Sequence, residues 1–291
     1  MNKILITGAT GNIGTEVVNF LNTLTNKAEI IVAVRNIASA KNNFRNQPNL
    51  GYRTFNFKDP QTYTSAFKDI EILFLLRPPQ IAEVNRYFKP LLESAKKNGI
   101  EKIVFLSVQG AEKSNIIPHN KIERLIKLIG FQYIFVRPSY FMQNLTTTLL
   151  AEILEDKTIT LPAKQAKFNW IDVKNIAEVI AILLQSFHKY ENNIFEITGS
   201  ENKNFDEVTK IMTTVTGTKF QFKSINPIRF YFKKRKSGME SSFAFVITLL
   251  HFLPRLEKEP EITNNYFKIT GKTTTTLKEF IKREKSTLLG H

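Results

Sequence analysis

Seven residues near the start of the chain, Gly8-Ala9-Thr10-Gly11-Asn12-Ile13-Gly14, have the composition and spacing to hold a diphosphate. They follow an apolar run, Lys3–Thr7, and lead into a segment of helical periodicity, Ile13–Leu21. In that setting each glycine has its own task. Gly8 permits a tight turn, Gly11 lets backbone approach an anion, and Gly14 lets helix and strand pack closely. The N–H groups and partial positive charge of the helix start would then face the phosphates. The spacing is GxxGxxG rather than GxGxxG, so the inference rests on the strand–turn–helix context. The next apolar run ends Val32-Ala33-Val34-Arg35-Asn36. A carboxylate at such a tip would bind the adenosine ribose of NAD. Arg35 is suited instead to pair bidentately with a 2′-phosphate, which predicts NADP(H) in preference to NAD(H).

The elements that must position this loop are legible as a pattern. Lys3–Thr7, Glu29–Val34, Tyr52–Phe57, Ile70–Leu76, Lys102–Ser107 and Gln132–Arg137 read as strands, several of them apolar almost throughout. Such runs fit a sheet buried on both faces. Ile13–Leu21, Ile81–Lys97 and Lys121–Ile129 have helical spacing and alternate with them. The fold class predicted is α/β: a Rossmann-type, doubly wound parallel sheet with a smaller, mostly helical C-terminal region. The core is expected over 1–150 and the second region over 151–291, with 165–200 returning to the core through a helix Val173–Phe187 and a strand Asn193–Ile197. Further helices are expected at Thr146–Leu154, Phe205–Thr216, Ile228–Arg235, Asn264–Thr270 and Leu277–Lys285, and strands at Thr158–Leu161 and Phe220–Ser224.

Several other chemistries are set aside. With no cysteine there is no disulfide, thiolate nucleophile or Cys-ligated metal. His188, His251 and His291 lie far apart and suggest no metal site. Gly271-Lys272-Thr273 imitates the end of a P-loop, but position 266 is Tyr266 where glycine is required. Asp172 and Asn175 read as capping residues, and Asp69 and Glu71 as surface charges. The net charge of +15 brings one dense run, Lys233–Lys236, without a nucleic-acid-binding motif, so no nucleic-acid partner is expected. No segment approaches a membrane span. Phe243–Leu253 comes nearest and is read as a buried helix, a lid, or a segment lying on an acidic membrane. The N-terminus has no secretory pattern, and a cytoplasmic setting is expected.

Taken together the motifs resemble the NmrA-like group of atypical short-chain dehydrogenase/reductases, including its triphenylmethane-reductase and azoreductase-like branches. The resemblance is carried by Gly8–Gly14, Val34-Arg35, Ser107-Val108-Gln109-Gly110, His119 with Glu123, Arg137-Pro138-Ser139-Tyr140-Phe141-Met142-Gln143-Asn144 and Ile269-Thr270-Gly271. It implies a Rossmann domain, a substrate domain and a nicotinamide cofactor. The contacts implied for that cofactor are Gly8, Thr10, Gly11, Asn12, Ile13, Gly14, Arg35, Asn56, Phe57, Leu76, Arg77, Pro78, Ser107, His119 and Pro138. Gln109, Phe141, Asn144 and Trp170 are expected at a small-molecule acceptor, with Met142 and Phe230-Tyr231-Phe232 as further apolar lining or as core.

The chain departs from the superfamily at the Tyr-x-x-x-Lys pair, which protonates a carbonyl and holds the nicotinamide ribose. Counting from Glu123 and Gly130 places Asn115 at the tyrosine and His119 at the lysine. Asparagine is no such donor. His119 is read as a ribose contact and catalytic proton source, or simply as the residue opening a helix after Pro118. Conjugated acceptors that take hydride first (quinones, azo compounds, cationic dyes) fit that departure. The alternative is a non-catalytic NADP-binding redox sensor with a protein partner.

Overall fold

The apolar runs of the first half form a seven-stranded, wholly parallel sheet in a computed structural model that describes residues 3–24, 28–113, 115 and 117–291. Its strands are β1 (Lys3–Thr7), β2 (Glu29–Val34), β3 (Gly51–Thr54), β4 (Ile72–Leu76), β5 (Lys102–Leu106) and β6 (Gln132–Pro138), with Asn193–Ile197 beside β6. The order across the sheet is Asn193–Ile197, β6, β5, β4, β1, β2, β3. Alternate residues serve opposite faces. Leu5, Ile31, Leu73, Ile103 and Phe135 join a core on one face with Phe55, Tyr63, Phe67, Phe88 and Leu92. The helix Asn12–Thr23 (α1) buries Gly14, Val17, Val18 and Leu21, one helical stripe, and packs against Val173–Gln185. That second helix contributes Ile176, Val179, Ile180, Leu183 and Leu184.

Strand order reverses between β1 and β4. In a doubly wound sheet this reversal opens a crevice at the carboxyl ends of the strands. The two strands are also tied there by a side chain: the Thr7 hydroxyl donates to Phe74 O (3.0 Å) and accepts from Leu76 N (2.9 Å).

The sheet and its helices are one of two compact units, ending at Pro138 and regaining Val173–Ile197 and Lys268–Gly271. The other unit comprises Ser139–Asp172, Thr198–Phe267 and Lys272–His291. The crossing at Pro138 comes earlier than the expected boundary at 150, and the returning segment begins at Val173 rather than 165. The reason is strand pairing. Phe168–Ile171 joins Tyr140–Phe141 and Asn202–Lys203 in a small sheet of its own. A further pair, Thr158–Leu161 with Gln221–Ser224, forms from the two strands expected there. Its core gathers Trp170, Phe205, Phe230, Leu277 and Phe280, all fully buried.

Local departures from the sequence reading have local causes. β3 stops at Thr54, and Phe55 and Phe57 turn into the core. The expected helix Ile81–Lys97 becomes a wide π-helical turn, Val84–Phe88, followed by an α-helix Lys89–Lys97. Pro90 lacks the N–H that would continue the earlier turn. Thr146–Leu154 divides into a 3-10 turn, Met142–Thr146, and a helix Leu150–Asp156. The tail helix also divides, at Glu284.

Within the second unit Gly199 is clasped by Asn169, which accepts from Gly199 N (2.6 Å) and donates to Gly199 O (3.1 Å). A Cβ at Gly199 would stand 1.7 Å from Trp170 O, with backbone on both sides of the contact. Gly199→Ala should therefore cost about 2–4 kcal/mol, as severe packing changes do, read as a lower urea midpoint. An unchanged midpoint would show that the two segments can separate at no cost.

Candidate functional site

The glycine loop lies at the carboxyl end of β1, on the strand-order reversal. Gly8 takes the left-handed conformation (φ +63°), and a Cβ there would meet Leu76 Cδ2 at 3.0 Å. Gly11 N donates to Gly8 O at 3.0 Å, closing the turn. α1 then begins from Gly11 in extended conformation, with no side-chain cap. The two later glycines differ in kind. A Cβ on Gly14 would be 2.2 Å from Gly8 O and 2.7 Å from Ala9 Cα, so its lack of a side chain is needed by the fold itself. A Cβ on Gly11 would meet only Gly8 O, at 3.3 Å. The space beyond it is open, and Thr10, Gly11 and Asn12 are exposed while Ile13 is half-buried. The packing of this chain alone does not demand glycine at position 11.

Around the loop stand the ends of the neighbouring strands. Arg35 is exposed immediately after β2, where Asn36 caps the next helix by accepting from Ser39 N (3.0 Å). Asn56 accepts from Lys58 N (3.0 Å), while its own N–H donates to the Thr62 hydroxyl (3.1 Å). The Phe57 ring is turned into the core against Phe55 and Phe88, so Phe57 can meet a ligand only through its backbone. Its carbonyl accepts from the Tyr63 hydroxyl (2.7 Å), a phenol pushed up to about 12 by burial and by Asp59.

Past β4, Leu76, Arg77 and Pro78 are half-buried. The Arg77 guanidinium braces its own loop, donating to the carbonyls of Pro78, Pro79 and Ile81. Its Nε donates to His119 Nε2 at 3.4 Å. Burial lowers Arg77 to about 10, so it stays charged at neutral pH. Burial and that neighbouring charge push His119 down to about 3, although part of its ring reaches solvent. That direction of shift runs against the expectation of His119 as a proton source near neutrality. The imidazole is neutral, and its Nε2 is an acceptor. Hydrogen bonding to a ribose through the other ring nitrogen remains open to it.

Ser107, at the end of β5, is buried with its hydroxyl unpartnered, one of few such atoms among the described residues. Gln109 is held to both strands beside it, N–H to Pro138 O (2.9 Å) and amide to Glu196 (3.1 Å). Pro138 is buried. Asn115 is exposed and accepts from Arg124 (2.6 Å).

Two groups escaped the sequence reading. Arg137 is buried and forms a two-pronged pair with Glu123 (2.9 and 2.6 Å) while also reaching Glu112. It ties β6 to the helix Pro118–Ile129 that carries His119 and to the turn after Ser107. Both residues were in the quoted motifs, but nothing local shows that they meet. Asn120, also buried, donates to Ala111 O (2.9 Å) and leaves its Oδ1 unpartnered.

The expected acceptor residues beyond Pro138 belong to the second unit. Phe141 and Asn144 are half-buried. Trp170 is fully buried, its indole N–H donating to Lys203 O (3.0 Å) and its ring edge-on to Tyr140 and Phe205. In this conformation its ring is closed to any ligand, which corrects the expectation that it contacts an acceptor. Phe230 and Met142 are core as well, while Phe232 is exposed. Asp172 is wholly buried, accepting from Arg283 and Gln143 (2.6 Å each).

With this geometry in view, comparison with known proteins gives a consistent result. Residues 1–280 match the NmrA-like family. The chain belongs to that family. It is 27% identical to prestalk A differentiation protein A of Dictyostelium discoideum over 288 residues, 99% of this chain and 94% of that protein. It is 25% identical to the NAD(P)H azoreductase of Xenophilus azovorans over 286 residues, 96% of each chain. In fold it resembles Citrobacter sp. triphenylmethane reductase, solved with NADP(H), with a TM-score of 0.82 and 22% identity, covering 97% of this chain and 99% of that one.

The depressed histidine has a measurable consequence. A histidine held near 3 when folded and near 6.5 when unfolded stabilises the protein fully above pH 6.5. The stability is lost as pH falls from 6.5 towards 3, because the unfolded chain takes up the proton first. The His119 ring protons should hold their neutral chemical shift from pH 8 to about pH 5. His119→Gln should flatten the acid side of the Tm–pH curve. A His119 titration midpoint near 6.5 would restore it as a proton source.

Proposed function

We propose that this member of the NmrA-like family is an NADP(H)-dependent reductase that passes hydride to a small conjugated acceptor such as a quinone, azo compound or cationic dye. The observation that carries the reading is the contrast between Gly14, sealed against its own loop, and Gly11, open above an uncapped helix start. That is a backbone cradle for a diphosphate. The unpartnered Ser107 hydroxyl fits a ligand at the same strand ends. The azoreductase relative supports the reaction class.

In this reading Thr10, Gly11, Asn12 and Ile13 receive the diphosphate, and Arg35 receives the 2′-phosphate. Asn56 and the Phe57 backbone face the base. The Leu76-Arg77-Pro78 segment, Ser107, Pro138 and His119 border the nicotinamide end. The bound dinucleotide supplies a hydride. Gln109, Phe141 and Asn144 are the acceptor contacts we retain. His119, held neutral, orients rather than protonates, so the proton comes from solvent. That restricts the acceptor to compounds able to accept hydride before a proton, the class named above.

A second reading, an NADP-binding redox sensor, draws on the same site. Asn115 and neutral His119 leave no acidic side chain where the superfamily keeps its tyrosine and lysine. Steady-state oxidation of NADPH with a panel of quinones, azo dyes and triphenylmethane dyes separates the two. Turnover with at least one acceptor is expected. Tight NADPH binding without turnover across the panel would leave the sensor.

Two substitutions test the cofactor assignment by calorimetry. Arg35→Ala should weaken NADPH by about 1–3 kcal/mol and NADH hardly at all. Equal losses would remove the 2′-phosphate role. Gly11→Val should abolish binding of both while lowering the thermal midpoint far less than a side chain at Gly14 would, because a Cβ at position 11 meets only Gly8 O, at 3.3 Å. Retained affinity would mean that this turn does not touch phosphate.

A further inference from the structure

The helix Ser241–Phe252 is apolar on both sides, yet one side faces water. Its inner side is fixed to the core of its unit. Ala244, Ile247 and His251 are buried, and the His251 ring bridges Ile247 O and the Tyr140 hydroxyl, both at 2.8 Å. Its outer side presents Phe245, Val246 and Leu250, and Leu253 extends the row; Phe245 is 56% exposed. The helix packed beside it, Pro227–Lys236, adds Phe232, 63% exposed, on a face crowded with cations. From Pro227 to Leu256 the sequence has six cations and one carboxylate, Glu240; Lys233 is paired with Glu152 (2.7 Å) and Lys234 is half-buried, while Arg229, Arg235 and Lys236 are exposed on the helix that carries Phe232.

A surface helix that is apolar all round is unusual in water, and an exposed apolar row with a polar rim marks an interaction face. At twelve residues the helix is about 18 Å long, too short to span a bilayer. No described helix is long and apolar enough to do so.

We propose that these two helices dock the protein on an anionic membrane surface, with Phe232, Phe245, Val246 and Leu250 entering the headgroup–acyl boundary and the cations pairing with lipid phosphates. Charge complementarity selects this occupant. A neighbouring row of cations is what an apolar face needs to be drawn to and held at an anionic leaflet. Lys and Arg side chains beside such a row can extend to the phosphates while their stems cover apolar surface. Nucleic acid fits less well, because Val246, Leu250 and Leu253 have neither a flat ring to stack on a base nor a donor for a phosphate. The net charge of +15 acts in the same direction at long range. The inference is independent of the nucleotide site.

The test is sedimentation of the full chain with vesicles of phosphatidylcholine alone and of phosphatidylcholine mixed with phosphatidylglycerol, at low and high salt. Binding is expected only to the mixed vesicles and should weaken with salt. Phe245→Ser with Leu250→Ser should lower partitioning about ten-fold. Arg229→Gln with Lys236→Gln should lower it about five-fold per cation removed. All four side chains are exposed, and circular dichroism checks that the variants fold. Three results would overturn the proposal: no binding to the anionic vesicles, equal binding to both kinds, or binding that neither double variant changes. A dimer in sedimentation velocity that Phe245→Ser with Leu250→Ser dissolves would overturn it too, by assigning the face to a second copy.

Discussion

The first unit depends on how closely one helix can approach one strand end. α1 starts almost on top of the Gly8 carbonyl, where no side chain but hydrogen fits at position 14. That contact sets the direction of the helix and delivers its first turn to the point where strand order reverses. Thr7 holds β1 and β4 together directly beneath. The stripe Gly14, Val17, Val18 and Leu21 then locks the helix against Val173–Gln185. A bulkier residue at position 14 would tilt the helix away and spoil the cradle and the packing together. The steric demand therefore falls unequally on the glycines of one short motif: position 14 is sealed by the Gly8 carbonyl and Ala9, and position 11 meets only Gly8 O.

Electrostatics around the strand ends follow from the same enclosure. Arg77 is charged yet largely withdrawn from water, and it is stabilised there by three carbonyls of its own loop. His119 Nε2 accepts from the Arg77 Nε. Burial first, and the neighbouring guanidinium second, disfavour the charged imidazole there. One turn further along the same helix Glu123 pairs with Arg137, which also reaches Glu112 of the preceding turn, in a buried cluster. Such clusters hold elements in one arrangement because separating the partners leaves an uncompensated buried charge. The Arg77 contact at His119 and the ion pair at Glu123, one turn apart, fix this helix to the strand ends beside it. That agrees with chemistry in which the protein holds and excludes rather than exchanges protons.

Most of the first unit was legible because its signals are local. A strand buried on both faces must be apolar along its length, and a helix covering it must carry a stripe. A phosphate turn needs glycine at set intervals. The second unit was less legible because its strands are two to four residues long and pair across distant segments. Phe168–Ile171 carries no mark that sends it to Tyr140 and Asn202 instead of the large sheet. Trp170 shows the same limit. An aromatic residue near a site motif is as suitable for core as for ligand, and only its buried ring and bonded N–H decide.

The chain by itself determined the family, the parallel α/β core, the glycine turn between β1 and α1 and the place of Arg35 at the tip of β2, since each is written in residues adjacent in sequence. Tertiary structure decided the rest: the split at Pro138, the enclosure that neutralises His119, the burial of Trp170, the ion pair of Arg137 with Glu123, and which side of Ser241–Phe252 meets water. Each of these is a question of which distant atoms share a space and exclude solvent from it, and spacing along a chain carries no record of that.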